Sequence, residues 1–311
     1  RRTMAKTTSI TTTYAGEFAG KYISAALLSA DTIEGGGITV KPNVKYKEVM
    51  KTLSTNALVK DAACDFADQS VVTLAERILQ PEEFQVNLEL CKKDFRSDWE
   101  AIEMGYSAFD TLPPSFADFL LGHIAAKVAQ KTESNIWQGA TANAGEFDGF
   151  TALLAADATV IDVVGTTVTA ANVIDELGKV VDAIPTSVYG KEDLYIYVSQ
   201  SIARSYVRAL GGFGANGLGA NGVNNAGTTW FNGGDLAFDG VKLFVCSGMP
   251  DNDMVAAQKS NLYFGTGLLS DHNEVKLIDM ENLDGSQNVR VVMRFTAGVQ
   301  TGIGADIVYY T

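Results

Sequence analysis

A glycine-rich segment around residue 212 contains a string that matches a nucleotide-binding motif. Gly212–Gly217 reads Gly-Phe-Gly-Ala-Asn-Gly and fits the pattern GxGxxG. That motif binds a pyrophosphate when a strand leads into the turn and a helix amino terminus follows it. Here residues 202–210 have helical spacing before the string, and more glycine and asparagine follow it. The sequence therefore favours a surface loop, and a soluble cofactor-binding enzyme using Gly212–Gly217 remains the alternative hypothesis.

Histidine and cysteine are too few and too scattered to form a recognisable metal or catalytic centre. The sequence has two histidines, His123 and His272, and neither has a second histidine at ligand spacing. The three cysteines, Cys64, Cys91 and Cys246, form no CxxC pair. This pattern excludes a multi-histidine metal site and a zinc knuckle. We expect no catalytic residue, no cofactor and no metal ligand.

Carboxylates cluster in three places, at 82–83, 251–253 and 279–281. The last cluster lacks the alternating ligands and the closing glutamate of a calcium loop. Solvated turns and helix caps are the predicted role of all three clusters. The densest basic region, Lys92-Lys93 with Arg96, is flanked by acidic residues, and we expect it to form salt bridges.

Composition excludes several classes of protein. The 311 residues carry 37 Asp and Glu against 24 Lys and Arg, a formal charge of -13, and 46% of them are apolar. A negative chain repels phosphate backbones, so a dedicated nucleic-acid-binding role is not expected. No apolar run reaches the roughly 18 residues of a membrane helix, so no membrane partner is expected.

Two runs of alternating apolar and polar residues, within 71–95, predict a long β-hairpin that turns at Pro81. Each run is apolar on one face and polar on the other, so one face needs a cover. If the hairpin projects, its own chain cannot supply that cover. The predicted exposed positions are Val72, Leu74, Ile78, Phe84, Val86, Leu88 and Leu90. Such a surface is satisfied only by neighbours, which favours self-assembly.

Apolar spacing predicts the remaining elements of a mixed α+β chain. A helix of about twenty residues begins at Ser115 after two prolines and ends by Gly139. Shorter helices are predicted over 14–29, 45–53, 169–184 and 199–210, and strands over 194–198, 241–245, 261–264, 275–278, 289–295 and 307–310.

Several long strings of the sequence resemble the major capsid proteins of tailed bacteriophages, and most closely those of the crAss-like gut phages. The similarity extends over nearly the whole chain from about Tyr14. The strings that carry it are Val40–Val49, Leu88–Glu100, Leu112–Phe119, Asn143–Phe150, Gly248–Asn252 and Ser286–Arg290.

The resemblance implies the Hong Kong ninety-seven capsid fold, an α+β fold with four parts. Residues 1–54 would form an amino-terminal arm with short helices, and 55–98 the extended loop hairpin. Residues 99–150 and 262–311 would form a peripheral domain around the long helix, called the spine helix. Residues 151–261 would form the axial domain.

The implied function is that of a structural subunit that self-assembles into the icosahedral head around double-stranded DNA. Its implied partners are copies of itself in hexamers and pentamers, portal and decoration proteins, and the DNA, bound non-specifically. The implied location is the virion, after assembly in the bacterial cytoplasm. The predicted inter-subunit contacts are Val72, Leu74, Ile78, Phe84, Val86 and Leu88. No string supports the lysine–asparagine cross-link of some members.

Overall fold

The computed structural model describes residues 31–55, 61–62, 64, 72–93, 114–211, 236–267 and 276–311. The helices are α1 (Asp31–Glu34), α2 (Pro114–Gln138), α3 (Phe150–Ala156), α4 (Val173–Asp182), α5 (Gln200–Gly211) and α6 (Glu281–Asp284). The strands are β1 (Thr39–Lys41), β2 (Glu48–Thr55), β3 (Val72–Leu79), β4 (Glu82–Cys91), β5 (Ile161–Val163), β6 (Leu194–Ser199), β7 (Ala237–Phe238), β8 (Val241–Cys246), β9 (Met254–Gln258), β10 (Leu262–Gly265), β11 (Lys276–Asp279), β12 (Asn288–Thr301) and β13 (Val308–Tyr310).

The chain divides into two compact units. The first contains the described parts of 86–125 and 275–293, and the second those of 28–85, 126–274 and 294–311. In the first unit β11 pairs antiparallel with the start of β12, from Lys276 opposite Val292 to Asp279 opposite Val289. The turn between these strands holds α6, which ends at Gly285 in the left-handed conformation (φ 70°) that glycine adopts without steric cost.

The second unit contains a mixed sheet with the strand order β5-β13-β9-β6-β8-β7. β6 is buried along most of its length because it lies between β9 and β8, and it leads directly into α5. The Ser199 hydroxyl accepts a hydrogen bond from the Ile202 amide (3.2 Å) and so caps α5 as the sequence predicts. Packing α4 and α5 on this sheet buries Leu177, Ile196 and Ile202 in one apolar cluster.

A second apolar cluster surrounds the carboxyl-terminal end of α2. The Trp137 side chain is fully buried, and its ring lies 5.3 Å from that of Phe150 and 5.4 Å from that of Tyr197. The chain turns sharply after α2, because a Cβ atom at Gly139 would lie 2.2 Å from the Phe147 carbonyl oxygen. Glycine at this position therefore permits the close return of the chain.

Most predicted elements are confirmed, and two are wrong. The long helix, the helices after residues 172 and 199, and the strands after residue 194 are present. The predicted helix over 45–53 is not formed, and residues 48–53 belong to the strand β2 instead. The two alternating runs are strands, but they do not pair with each other: β3 pairs with β2, and β4 pairs with β12. The predicted helix over 14–29 and the glycine loop Gly212–Gly217 lie outside the described residues.

Candidate assembly surface

β2 and β3 form an antiparallel pair, here called the ribbon, whose eight residue pairs run from Glu48 opposite Leu79 to Thr55 opposite Val72. Within the described part of the chain, these two strands hydrogen-bond to each other and to no further strand. Directly opposed residues of an antiparallel pair place their side chains on the same face. The register therefore fixes which residues share each face of the ribbon.

One face of the ribbon is apolar and exposed. Val49 lies opposite Ile78, and Leu53 lies opposite Leu74, with Val72 at the end of the pair. Their exposed fractions are 45% for Val49, 64% for Leu53, 56% for Val72, 69% for Leu74 and 47% for Ile78. Lys51 and Glu76, opposite each other, lie between the apolar pairs. We call Val49, Leu53, Val72, Leu74 and Ile78 the apolar face; exposed apolar side chains gathered on one face of a strand pair are typical of an interaction surface.

We call the end of the ribbon at Glu48 and Leu79 its base and the end at Thr55 and Val72 its far end. The face opposite the apolar face is exposed toward the far end and buried at the base. Thr73 and Ala75 are exposed, whereas Leu79 is fully buried and Met50 is 9% exposed. A Cβ atom at Gly265 would lie 2.9 Å from a Leu79 methyl carbon, so glycine lets the base of β3 pack against β10.

Polar contacts hold the base of the ribbon to the rest of the second unit, of which the ribbon is a part. The Arg77 guanidinium forms a salt bridge with Asp157 and donates to the Thr301 hydroxyl (3.1 Å). The Gln300 side-chain amide donates to the Ile78 carbonyl oxygen (2.9 Å). Burial would raise the pKa of Asp157, but the hydrogen bonds from Thr159 and Arg77 outweigh it and lower the pKa. The base is thus fixed while the apolar face stays open.

Of the six predicted contact residues, three lie on the apolar face and three do not. Val72, Leu74 and Ile78 belong to the ribbon. Phe84 lies on β4 and packs on the core, with its ring 6.0 Å from that of Phe147 and 5.7 Å from that of Phe295. The remaining two are also on β4, where Val86 is half-buried and Leu88 is 37% exposed.

The predicted turn at Pro81 is not a projecting tip. A Cβ atom at Gly298 would lie 3.0 Å from both Gln80 and Pro81, so this connection runs close against β12. The physical reason for the error is that β4 finds its hydrogen-bond partner in β12, near the end of the chain.

Sequence reasoning missed Val49 and Leu53, which complete the apolar face. No period-two signal was available, because Lys51 lies on the same strand face as Val49 and Leu53, and Met50 lies on the other. The apolar positions 49, 50 and 53 have the spacing of one face of a short helix, so the sequence favoured the wrong element. Pairing with β3 decides in favour of the strand.

Carboxylates of two of the three predicted clusters, 279–281 and 251–253, have structural partners. Lys92, only 4% exposed, places its ammonium 2.5 Å from Asp279 and 2.9 Å from Glu281. Burial would lower the pKa of Lys92, but the hydrogen bonds to these two carboxylates outweigh it and raise the pKa. The predicted salt bridging is confirmed for Lys92, with partners far along the chain, whereas Arg96 lies outside the described residues. Asp253 accepts a hydrogen bond from the Tyr309 hydroxyl (3.0 Å), and burial raises its pKa.

A carboxylate is also buried beside α1. Glu133 on α2 is fully buried, and it accepts hydrogen bonds from the Thr32 amide (3.1 Å) and the Thr32 hydroxyl (2.5 Å). The same hydroxyl accepts a hydrogen bond from the Trp137 indole nitrogen (2.9 Å). Burial raises the pKa of Glu133 more than the hydrogen bonds from Thr32 lower it. This network ties α1 to the end of α2.

Neither a metal-binding cluster nor a membrane-length apolar helix occurs among the described residues. Among the residues that the structure describes, no three histidine, cysteine or acidic side chains converge to hold a metal ion. Within the same ranges, no helix combines the length and apolar character needed to cross a membrane. His272 lies outside the described residues, and His123 is a half-buried residue of α2.

Comparison with known proteins relates the fold to phage capsids. No protein-family model and no curated protein matches the chain. The capsid of a native GTA particle matches with a TM-score of 0.63 at 12% identity, covering 93% of this chain and 92% of that one. The capsid of Myoviridae phage XM1 matches with a TM-score of 0.59 at 11% identity, covering 93% and 94%. The capsid of cyanophage P-SCSP1u matches with a TM-score of 0.54 at 13% identity, covering 96% and 92%. The chain has the α+β Hong Kong ninety-seven fold of tailed-phage capsid subunits.

Proposed function

We propose that this chain is the major capsid protein of a tailed bacteriophage, a structural subunit that self-assembles into an icosahedral head around double-stranded DNA. The fold supports this proposal, since the structural neighbours are capsid chains and the match covers more than nine-tenths of each of those chains. The observation that carries it is the apolar face of the ribbon, which a solitary subunit would leave open to water. The sequence resemblance supports a crAss-like phage as the source.

The proposal assigns a role without catalysis and a set of partners. The chain acts as a structural protein of the virion, and its main partner is itself, in hexamers and pentamers. Portal and decoration proteins and the packaged DNA complete the set, and assembly takes place in the bacterial cytoplasm. The formal charge of -13 supports weak, non-specific contact with DNA, because a negatively charged subunit repels the phosphate backbone.

We assign the parts of the fold as follows. The amino-terminal arm, expected over 1–54, ends before β2 begins at Glu48; residues 99–150 with 262–311 are assigned to the peripheral domain with α2 as its spine, and 151–261 to the axial domain. The extended loop, placed at 55–98 from the sequence, corresponds in its paired portion to the ribbon of β2 and β3. The observed register supports this shift, because it joins residues 48–55 to 72–79.

The apolar face is the inter-subunit contact in this proposal. Val72, Leu74 and Ile78 keep their predicted role, Val49 and Leu53 join them, and the β4 residues Phe84, Val86 and Leu88 are withdrawn from the ribbon contact. Each of the five side chains is still about half exposed or more. Covering one by a neighbour contributes about 1 kcal/mol, so the face supplies about 5 kcal/mol before ordering costs.

Charged substitutions on the two faces of β3 test this assignment. V72D/L74D places two carboxylates on the apolar face, and T73D/A75D places the same charges on the opposite, exposed face. Sedimentation and electron microscopy of the expressed protein are expected to show closed shells for the wild type and T73D/A75D. V72D/L74D is expected to stay a soluble subunit with an unchanged far-UV circular dichroism spectrum.

Three outcomes contradict the proposal. A wild-type protein that forms only a small oligomer under all assembly conditions refutes the capsid function. Normal shells from V72D/L74D refute the apolar face as the contact. Unfolding of V72D/L74D as an isolated subunit shows instead that the ribbon belongs to the subunit's own core.

A further inference from the structure

The segment leading into the ribbon projects three exposed side chains from a fixed backbone. The amides of Asn43 and Val44 donate to the carbonyl oxygens of Gly267 (2.6 Å) and Thr266 (3.1 Å), and Val44 is buried. Asn43 adopts a left-handed conformation (φ 64°), which asparagine tolerates better than most residues. The chain therefore turns at a set position, and residues 45–47 are exposed beyond it.

Two of these exposed residues are lysines that have no ion-pair partner among the residues that the structure describes. Lys45 and Lys47 form no ion pair with any carboxylate in the described part of the chain, and the Lys47 ammonium lies 5.2 Å from the centre of the Tyr46 ring. The neighbouring Lys41, by contrast, is paired with Glu48 (2.6 Å). On the ribbon itself Lys51 has Glu76 directly opposite.

We infer that Lys45 and Lys47, with the apolar face beside them, recognise an acidic surface of a second copy of this chain. The inference rests on the proposed function and specifies the chemistry of the subunit contact. Two observations favour a second copy as the occupant. The chain carries a formal charge of -13, so another copy has an excess of acidic side chains with which the lysines can pair. The lysines also lead directly into β2, so one partner can cover both the charges and the apolar face.

A DNA backbone fits this surface less well. Phosphates would compensate the two lysines, but they offer nothing to cover the adjoining apolar side chains. A protein surface supplies both an apolar centre and a charged rim. Charges at such a rim mainly accelerate association and fix the register, and salt weakens their effect.

Charge reversal at matched positions tests the inference. K45E/K47E is compared with K191E/K242E, which makes the same charge change at exposed lysines before β6 and on β8. Shell assembly from purified subunits is followed by light scattering at about 0.05 M and about 1 M salt, where the Debye length is about 3 Å. K45E/K47E is expected to assemble about tenfold more slowly than the control at the lower salt, and the gap is expected to close at the higher salt.

The outcomes separate this inference from the proposed function. Equal rates for the two variants at every salt concentration overturn the inference and leave the capsid function standing if wild-type shells form. The inference is also overturned if K45E/K47E assembles normally but its shells no longer retain DNA in a salt-dependent way, as the wild-type shells do. The lysines would then contact DNA and not a second copy of the chain. Absence of wild-type shells instead refutes the proposed function.

Discussion

Thr32→Val removes the hydroxyl that links a buried carboxylate to a buried indole. Valine has nearly the same shape as threonine, so the change tests hydrogen bonding rather than packing. Thr32, Glu133 and Trp137 are all fully buried, so water cannot replace the lost contacts. The lost hydrogen bond to the Glu133 carboxylate costs about 2 kcal/mol, and the unpaired Trp137 N–H costs about 2 kcal/mol more. The expected loss, about 4 kcal/mol, is a large share of a typical stability of about 5–15 kcal/mol.

The matched control is Thr32→Ser, which keeps the hydroxyl and removes one methyl group. Its expected cost is about 1 kcal/mol. Urea titration of the soluble subunit, followed by far-UV circular dichroism, measures the free energy of unfolding of each variant. If Thr32→Val lowers the free energy of unfolding by no more than about 1 kcal/mol beyond the decrease caused by Thr32→Ser, the hydrogen bonds of the Thr32 hydroxyl contribute little and the reasoning is refuted.

The pH dependence gives a second check on the same residues. Burial raises the pKa of Glu133 above 4.5 in the folded protein, so the folded state holds this proton more tightly than the unfolded chain. The contribution of Glu133 to stability therefore falls as the pH rises from the unfolded to the folded pKa. Removing the Thr32 hydroxyl takes away a donor to the ionised form and raises the folded pKa further. The cost of Thr32→Val is expected to be larger at about pH 8 than at about pH 5; a cost independent of pH contradicts this role for Glu133.

Two further predictions concern β3, β4 and the salt-bridge cluster. Phe84→Ala is expected to lower the free energy of unfolding by about 3 kcal/mol, because the ring packs on the core, whereas Leu74→Ala, at an exposed position, is expected to change it by less than about 0.5 kcal/mol. Urea titration of both variants measures this, and equal losses would contradict the two environments. Lys92→Met is expected to destabilise the subunit by about 2 kcal/mol at neutral pH, because the buried ammonium compensates two carboxylates. The pKa of Lys92 in the folded protein is raised above 10.5, so its contribution to stability is present below that pH and is lost as the pH rises through the folded pKa. The free energies of unfolding of wild type and Lys92→Met are therefore expected to converge at strongly alkaline pH. A difference that stays constant with pH would count against the pairing.

The sequence by itself determined the helices and strands whose boundaries are marked by residues close to them in the chain. The long helix α2 has two prolines at its start and a glycine after its end, and its observed span of 114–138 agrees with the prediction. The Leu194–Ser199 strand and its capped helix were predictable for the same reason, because a hydroxyl cap and a change of period lie within a few residues of each other. The resemblance of several strings to phage capsid proteins also predicted the fold, which the structural comparison supports.

Only the tertiary structure decided which strands pair and which side chains they bury. Alternation in β3 and β4 shows that each strand has an apolar face, but period two contains no information about the partner strand. The ribbon joins β3 to β2 across sixteen intervening residues, and β4 pairs with β12 near the other end of the chain. Phe84 is consequently half-buried and packs against the core, whereas Leu74, similar by pattern, is exposed. The hydrogen bonds of Glu133 likewise depend on Thr32, 101 residues away, because burial brings together groups whose distance in sequence carries no signal.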